Sequence, residues 1–324
     1  MLEPGRFCPA DYRYSPASFA RAPDFAADTL YVVGGLYGNV RALDAIEELA
    51  SCEVGPLDIV FNGDFHWFDA TSERFAEVSR RVFAHRALRG NVETELARAD
   101  DAGAGCGCAY PDVVDGGTVE RSNQIFIRLR RCADALPGMR DQLGALPKTL
   151  VVAVGHLRIG VVHGDAESLA GWRFAHDALD DPARRSWLED VRASSRIDIF
   201  ASSHTCLPAL RELDLNAGRL TVANNGAGGM PNFRGATFGL ITRIGVQPSP
   251  HRPLYGVERD GVSIDALPVH YDQQRWLRDF AAVWPPGSPA HVSYVNRLTD
   301  GPAFSREQAA AHGLSGDVIH ACAP

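Results

Sequence analysis

Apolar residues recur along this chain in two rhythms. Short apolar-rich runs at Thr29–Val33 and Asp58–Asn62 predict buried strands. Between them Val40, Leu43, Ile46, Leu49 and Ala50 fall at helical spacing, so Val40–Ala50 predicts a helix. Phe75, Val78 and Val82 place a second helix over about Ser72–His85. The stretch "HRALRGN" ends a third strand, and a further helix starts at Val92 and runs to Ala99. Strand, turn and helix repeated three times predict an α/β sheet whose functional residues sit at the strands' C-terminal ends.

The rhythm then changes. Residues 103–117, "GAGCGCAYPDVVDGG", read as a long glycine-rich loop, a type that in compact domains tends to be functional. A helix over Val119–Leu136 follows, and strands dominate from Lys148 onward. Hairpins are expected at Gly155-His156, at Asn216–Gly218 and at Asp260-Gly261, with single strands in "RIDIFASSHT" and "GATFGLITRI". Tyr271–Val283 is amphipathic and predicts a helix, and Arg306–His312 a short one. Residues 1–28 are rich in Pro, Ala and Arg without periodicity and read as an irregular arm. The expected organisation is that arm, one domain over 29–245 built of two sheets with helices outside, and a C-terminal hairpin and helix appendage over 246–324.

Composition narrows the functional classes. The 324 residues carry a formal charge of −8 with no basic block, which argues against a nucleic-acid partner. No apolar run approaches the roughly 18–20 residues of a membrane span. The first residues lack a basic-then-apolar leader pattern, so the chain reads as cytoplasmic. Its seven cysteines then read as thiols rather than a disulfide framework. Nothing in the pattern sets an oligomeric state.

Polar residues end several predicted strands: Gly63-Asp64, Gly90-Asn91, His163-Gly164-Asp165 and His204-Thr205-Cys206. Singly, an Asp or Asn there is a turn residue and a His a structural one. Together, a carboxylate, an amide oxygen and two imidazoles suit one divalent transition metal such as Zn, Mn or Fe.

Taken in order, "GLYGN" (35–39), "GD" (63–64), "GNV" (90–92), "VVHGD" (161–165) and "SSHTC" (202–206) resemble the five strand-end motifs of the calcineurin-like metallophosphoesterase family. The resemblance spans most of residues 29–245 and implies a four-layer α-β-β-α sandwich. It also implies two metals sharing one carboxylate, which here is Asp64. One metal would keep Asn91, His163 and His204. The other would need positions 35, 37 and 206, where this chain has Gly, Tyr and Cys. Because the losses fall on one ligand set, a mononuclear site is expected. Tyr37 either fills the vacated volume or offers its hydroxyl to substrate. Cys206 is either a small filler or a thiolate completing the remaining shell. Val92 stands where the family has a leaving-group His, so His66 is the nearest replacement acid, unless it is an ordinary loop imidazole. Backbone N–H groups at Gly38-Asn39 could supply some missing charge stabilisation. Cys106 and Cys108 lie in the loop, a candidate lid. Phe65, Trp67 and Phe68 read as an apolar wall, and Asn224 and Asn225 as turn residues. The expected activity is hydrolysis of a small phosphoester. A metal- or phosphate-binding protein without turnover, and a mononuclear metalloenzyme with redox or lyase chemistry, are the alternatives.

Overall fold

The computed structural model describes residues 3–99, 103–310 and 320–321. Strands β1 (Phe25–Ala27) and β2 (Thr29–Val33) lead into helix α1 (Val40–Ser51), whose N-terminal amides at Arg41 and Ala42 are capped by the Asn39 side chain. There follow β3 (Leu57–Asn62), α2 (Ser72–Val82), β4 (Arg86–Leu88), α3 (Asn91–Ala97), α4 (Gly116–Asp134) and α5 (Met139–Ala145). The second half holds β5 (Thr149–Val154), β6 (Leu157–Val162), α6 (His176–Leu179), α7 (Arg185–Ser195), β7 (Ile199–Ser202), β8 (Ala209–Leu213), β9 (Leu220–Asn224) and β10 (Gly239–Gly245). The chain continues through β11 (Tyr255–Arg259), β12 (Val262–Val269), α8 (Gln273–Val283), α9 (Pro289–Asp300), α10 (Arg306–Ala309) and β13 (His320–Ala321).

The strands form two mixed sheets. One has the order β1-β5-β6-β7-β9-β8, the other β13-β11-β12-β10-β2-β3-β4. Strand β2 is buried along its whole length because it lies between β10 and β3 and is covered on both faces, which is why its sequence is apolar without alternation. A core of Leu30, Val32, Val60, Val152, Ile159, Val161, Ile199 and Ile244 joins the sheets face to face. On the far side of the seven-stranded sheet Tyr31, Val33, Ile59 and Phe61 pack against α1, α2, α4, α8 and α9. Beyond the six-stranded sheet Val162, Phe200 and Val222 meet Leu188 and Val191 of α7. The result is the four-layer α-β-β-α sandwich. No helix among the described residues is long and apolar enough to cross a membrane.

The parallel trio β2, β3 and β4 and the parallel trio β6, β7 and β9 end toward one rim. Hydrogen bonds stitch the sheets there: Asn62 Nδ2 donates to the Val162 carbonyl at 2.7 Å, and Asn225 Nδ2 to the Gly34 and Leu240 carbonyls at 3.0 and 2.9 Å.

Three expectations need correction. The arm over 1–28 is not wholly irregular: Phe25–Ala27 adds β1 beside β5, and Tyr12 and Phe19 are fully buried. Three residues give too short a run to show periodicity. The segment after residue 245 continues the sheet, since β12 pairs with β10 over its whole length and α8 and α9 cover that sheet's outer face. Helices α5, α6, α7 and α9 were not expected; α9 starts on a proline and buries only Ala290 and Leu298. The last helix ends at Ala309, and His312 and Cys322 lie outside the described residues.

Candidate metal centre

Tight loops at the strand ends bring the site together. Gly63 has φ +74°, and a Cβ there would stand 2.5 Å from the Gly90 nitrogen, so only glycine lets the β3 and β4 tips approach. Asp64 follows, itself left-handed at φ 50°. Its carboxylate accepts from the Val92 N–H at 3.3 Å. Behind it lies the buried Glu93, whose carboxylate accepts from the Asp64, Phe65 and Gly90 N–H groups at 2.8, 3.1 and 2.9 Å.

Four ligand atoms converge on the rim. His163 Nε2 lies 3.3 Å from Asp64 Oδ2, 3.1 Å from Asn91 Oδ1 and 3.1 Å from His204 Nδ1. Donor atoms of Asp64, His163 and His204 all fall within 4.8 Å of one another. Hydrogen bonds on the far side of each ring fix the tautomers. His163 Nδ1 donates to the Asn62 carbonyl at 2.8 Å, and His204 Nε2 to the Cys108 carbonyl at 3.1 Å. Asn91 is oriented likewise, its Nδ2 donating to the Cys106 carbonyl at 2.9 Å. Two imidazole lone pairs, an amide oxygen and a carboxylate oxygen therefore face one point with no donor among them. Lone pairs opposed at this range repel unless a cation lies between them, and distal hydrogen bonds of this kind are what orient metal-ligating histidines. The residues fit a divalent transition metal.

Electrostatics follow from that crowding. Burial alone lowers the pKa of His163, but the adjoining Asp64 carboxylate outweighs it and the net shift is upward. His204, equally buried and facing His163, drops to about 3. Burial opposes ionisation of Asp64, yet His163 brings it below the usual carboxylate range. Burial pushes the thiols of Cys108 and Cys206 and the phenol of Tyr37 upward.

The other expected site residues fall differently. A Cβ on Gly35 would meet the Tyr37 ring at 2.8 Å, so that ring occupies the space a side chain at position 35 would need. The Tyr37 hydroxyl lies 2.8 Å from Cys206 Sγ. Cys206 stands outside the Asp64–His163–His204 cluster, its sulfur also reaching the His204 carbonyl at 3.4 Å. A thiolate in the metal shell therefore lacks geometric support. His66 is not brought to the site. It is fully buried, held at 2.5 Å by Asp69 and 3.0 Å by Ser79, and stacked on Phe75. The Gly38 and Asn39 N–H groups are also engaged, donating to the Phe65 and Leu36 carbonyls. Phe65 and Phe68 pack in the outer core, and Asn224 binds the Phe174 carbonyl and Thr205 rather than facing the cluster.

Above the cluster sits a cavity of about 40 Å³ lined by Tyr37, Asp64, Trp67, Val92, Cys108, Tyr110, Trp172, His204, Cys206, Met230 and Tyr294. Tyr110, Trp172 and Tyr294 come from segments the sequence pattern did not assign to the site. Trp172 Nε1 shares the Cys108 carbonyl with His204, donating to it at 3.2 Å. Glu93 also went unrecognised, although a carboxylate three residues after Gly90 at a helix start is a capping signal.

No protein-family model matches this chain, and no curated protein matches it. Solved structures do. A hypothetical protein from Pyrococcus horikoshii OT3 shares 18% identity over 86% of this chain and 100% of its own, with a TM-score of 0.57. A metallophosphoesterase from Sphaerobacter thermophilus shares 17% identity over 85% of this chain and 100% of its own, with a TM-score of 0.51. The chain has the metallophosphoesterase fold.

Proposed function

We propose that this chain is a metal-dependent hydrolase using one divalent transition metal, held by Asp64, Asn91, His163 and His204, to act on a small phosphorylated substrate. The observation that carries the reading is the convergence of four lone pairs whose side chains are each fixed from behind by a backbone group. An ion bound there supplies Lewis acidity and lowers the pKa of a water in its shell. The chain's own residues do the rest. Asp64 balances half the ion's charge, and Glu93 holds the Asp64 backbone in place. Tyr37 and Cys206 close the space where the family's second ion would lie, and the aromatic walls restrict water.

Val92 offers no proton to a leaving group, and no lysine or arginine lines the cavity among the described residues. Those two observations favour one alternative, metal binding without turnover. A single comparison separates the two. The native chain is expected to bind one ion by elemental analysis and to hydrolyse a generic phosphodiester with added Mn²⁺. His163→Ala is expected to lose the ion and at least about 100-fold in rate, since even supporting residues of metal sites are worth 10- to 100-fold. Equal, negligible rates with the ion still bound to the native chain would leave only the binding reading.

A further inference from the structure

Lys148 is the one lysine among the 32 basic residues of the sequence. It sits half-buried just before β5, where three segments meet. The N-terminal arm supplies Asp11, whose carbonyl accepts from Lys148 Nζ and whose carboxylate accepts from Arg98 Nη2 at 2.7 and 2.9 Å. The end of β4 supplies Arg89, whose backbone N–H donates to the Pro147 carbonyl at 3.0 Å and so lies beside Lys148. Arg130 and Arg140 close the group, both donating to the Arg98 carbonyl, at 2.9 and 3.1 Å.

The charges of this group do not balance. Lys148, Arg89, Arg98, Arg130 and Arg140 face three carboxylates among the described residues: Asp11, Glu95 on Arg98, and Asp134 on Arg140. Burial first, and then Arg89 and Arg98, bring the Lys148 ammonium below its ordinary range, against the pull of Asp11. A lysine is the basic side chain that gives up its proton in such a place, because a guanidinium keeps its charge. A neutral amine left among cations is a nucleophile whose surroundings favour a product of negative charge.

We infer that Lys148 captures carbon dioxide, its amine becoming a carbamate held among the guanidinium groups of Arg89 and Arg98. The nitrogen lone pair attacks the carbon, an N–C bond forms, one C=O π pair moves to oxygen, and the displaced amine proton goes to water. The nitrogen keeps one hydrogen, enough to go on donating to the Asp11 carbonyl. The position changes from a cation to an anion, and four guanidinium groups then meet four carboxylate-type groups. Acetylation of the same amine leaves a neutral product and uses none of that field. The inference is independent of the metal centre.

The test uses the full chain in isotopically labelled bicarbonate at about pH 7.5, where an ordinary lysine of pKa about 10.4 is neutral in roughly one molecule in a thousand. Carbon NMR reads the carbamate directly, and a trialkyloxonium salt traps it as an ester for peptide mapping. One carbamate at Lys148 is expected in the folded chain, and at least about tenfold less in guanidinium chloride, where the amine regains its ordinary pKa. The chain's α-amine, of pKa about 7.7–8.0, is the internal positive control in both states. Lys148→Arg is expected to lose the signal, and Arg98→Gln, which both restores the ammonium and removes a partner of the carbamate, to lower it at least about threefold. A folded chain with its α-amine modified and Lys148 untouched overturns the proposal. So does equal modification of Lys148 in the folded and denatured chains. Unchanged occupancy in Arg98→Gln overturns the role of the guanidinium groups. The folded-against-denatured comparison needs no variant, so it decides the matter even where a variant does not fold.

Discussion

Two adjoining pockets on the same rim have been built in opposite ways. On one side Asp64, Asn91, His163 and His204 point acceptor atoms at a common point, each held by backbone. On the other, Gly35, Tyr37 and Cys206 leave no such point. The Tyr37 ring covers Gly35, and its hydroxyl closes onto Cys206. With neutral imidazoles the first pocket is unsatisfied until it takes a cation or a proton on His163, while the second is satisfied by itself. The space beside Gly35 is therefore filled by one large side chain and leaves no hole. Tyr37 and Cys206 do this at some expense, since both hold left-handed backbone, φ 54° and 60°, worth about 1 kcal/mol or more each in strain.

Acid distinguishes the pockets most strongly. In the metal-free chain, His204 is brought from the ordinary 6.5 to about 3 by burial and by His163. As pH falls below 6.5 the unfolded chain takes up that proton first, so stability is lost between about 6.5 and 3, on the order of a few kcal/mol. His163 works the other way. Its pKa is raised, so its contribution is present below 6.5 and is lost as pH rises through its folded value. NMR of the imidazoles in chelator-treated protein is expected to show one ring titrating above 6.5 and another neutral to about pH 3. Two rings titrating together near 6.5 would dissolve the contrast. Tyr37 and Cys206 do not titrate over this range, because burial raises both.

A smaller effect is expected from refurnishing the second pocket. Gly35→Asp places a Cβ 2.8 Å from the Tyr37 ring at φ +61° and should destabilise the chain by about 1–3 kcal/mol in urea denaturation. Adding Tyr37→His removes the ring and should restore part of that loss, a non-additive pair. Strict additivity would mean that ring and glycine are independent. The smallest change is Tyr37→Phe. It deletes only the 2.8 Å contact with Cys206, should cost about 0.5–1.5 kcal/mol, and should leave metal content unchanged.

Much of this was legible in residue order. Asp64, Asn91, His163 and His204 each follow a strand, and period and position locate them without knowledge of packing. His66 was not legible. Its partners are Asp69 in the same loop, Ser79 on α2 and a stacked Phe75, and nothing local marks a histidine that will be folded into an outer core. Tyr110, Trp172 and Tyr294 converge from a loop, a second loop and α9, so their meeting depends on tertiary packing. Helix α9 spends most of its apolar residues off the core, burying only Ala290 and Leu298, so its pattern does not mark an inward face.

The carbonyl of Cys108 sits on the loop that precedes α4 and accepts from both His204 and Trp172. Lifting that loop withdraws the anchor of one ligand ring and one wall of the cavity in a single movement. The Cys108 carbonyl thus couples the position of the His204 ring to that of the Trp172 wall.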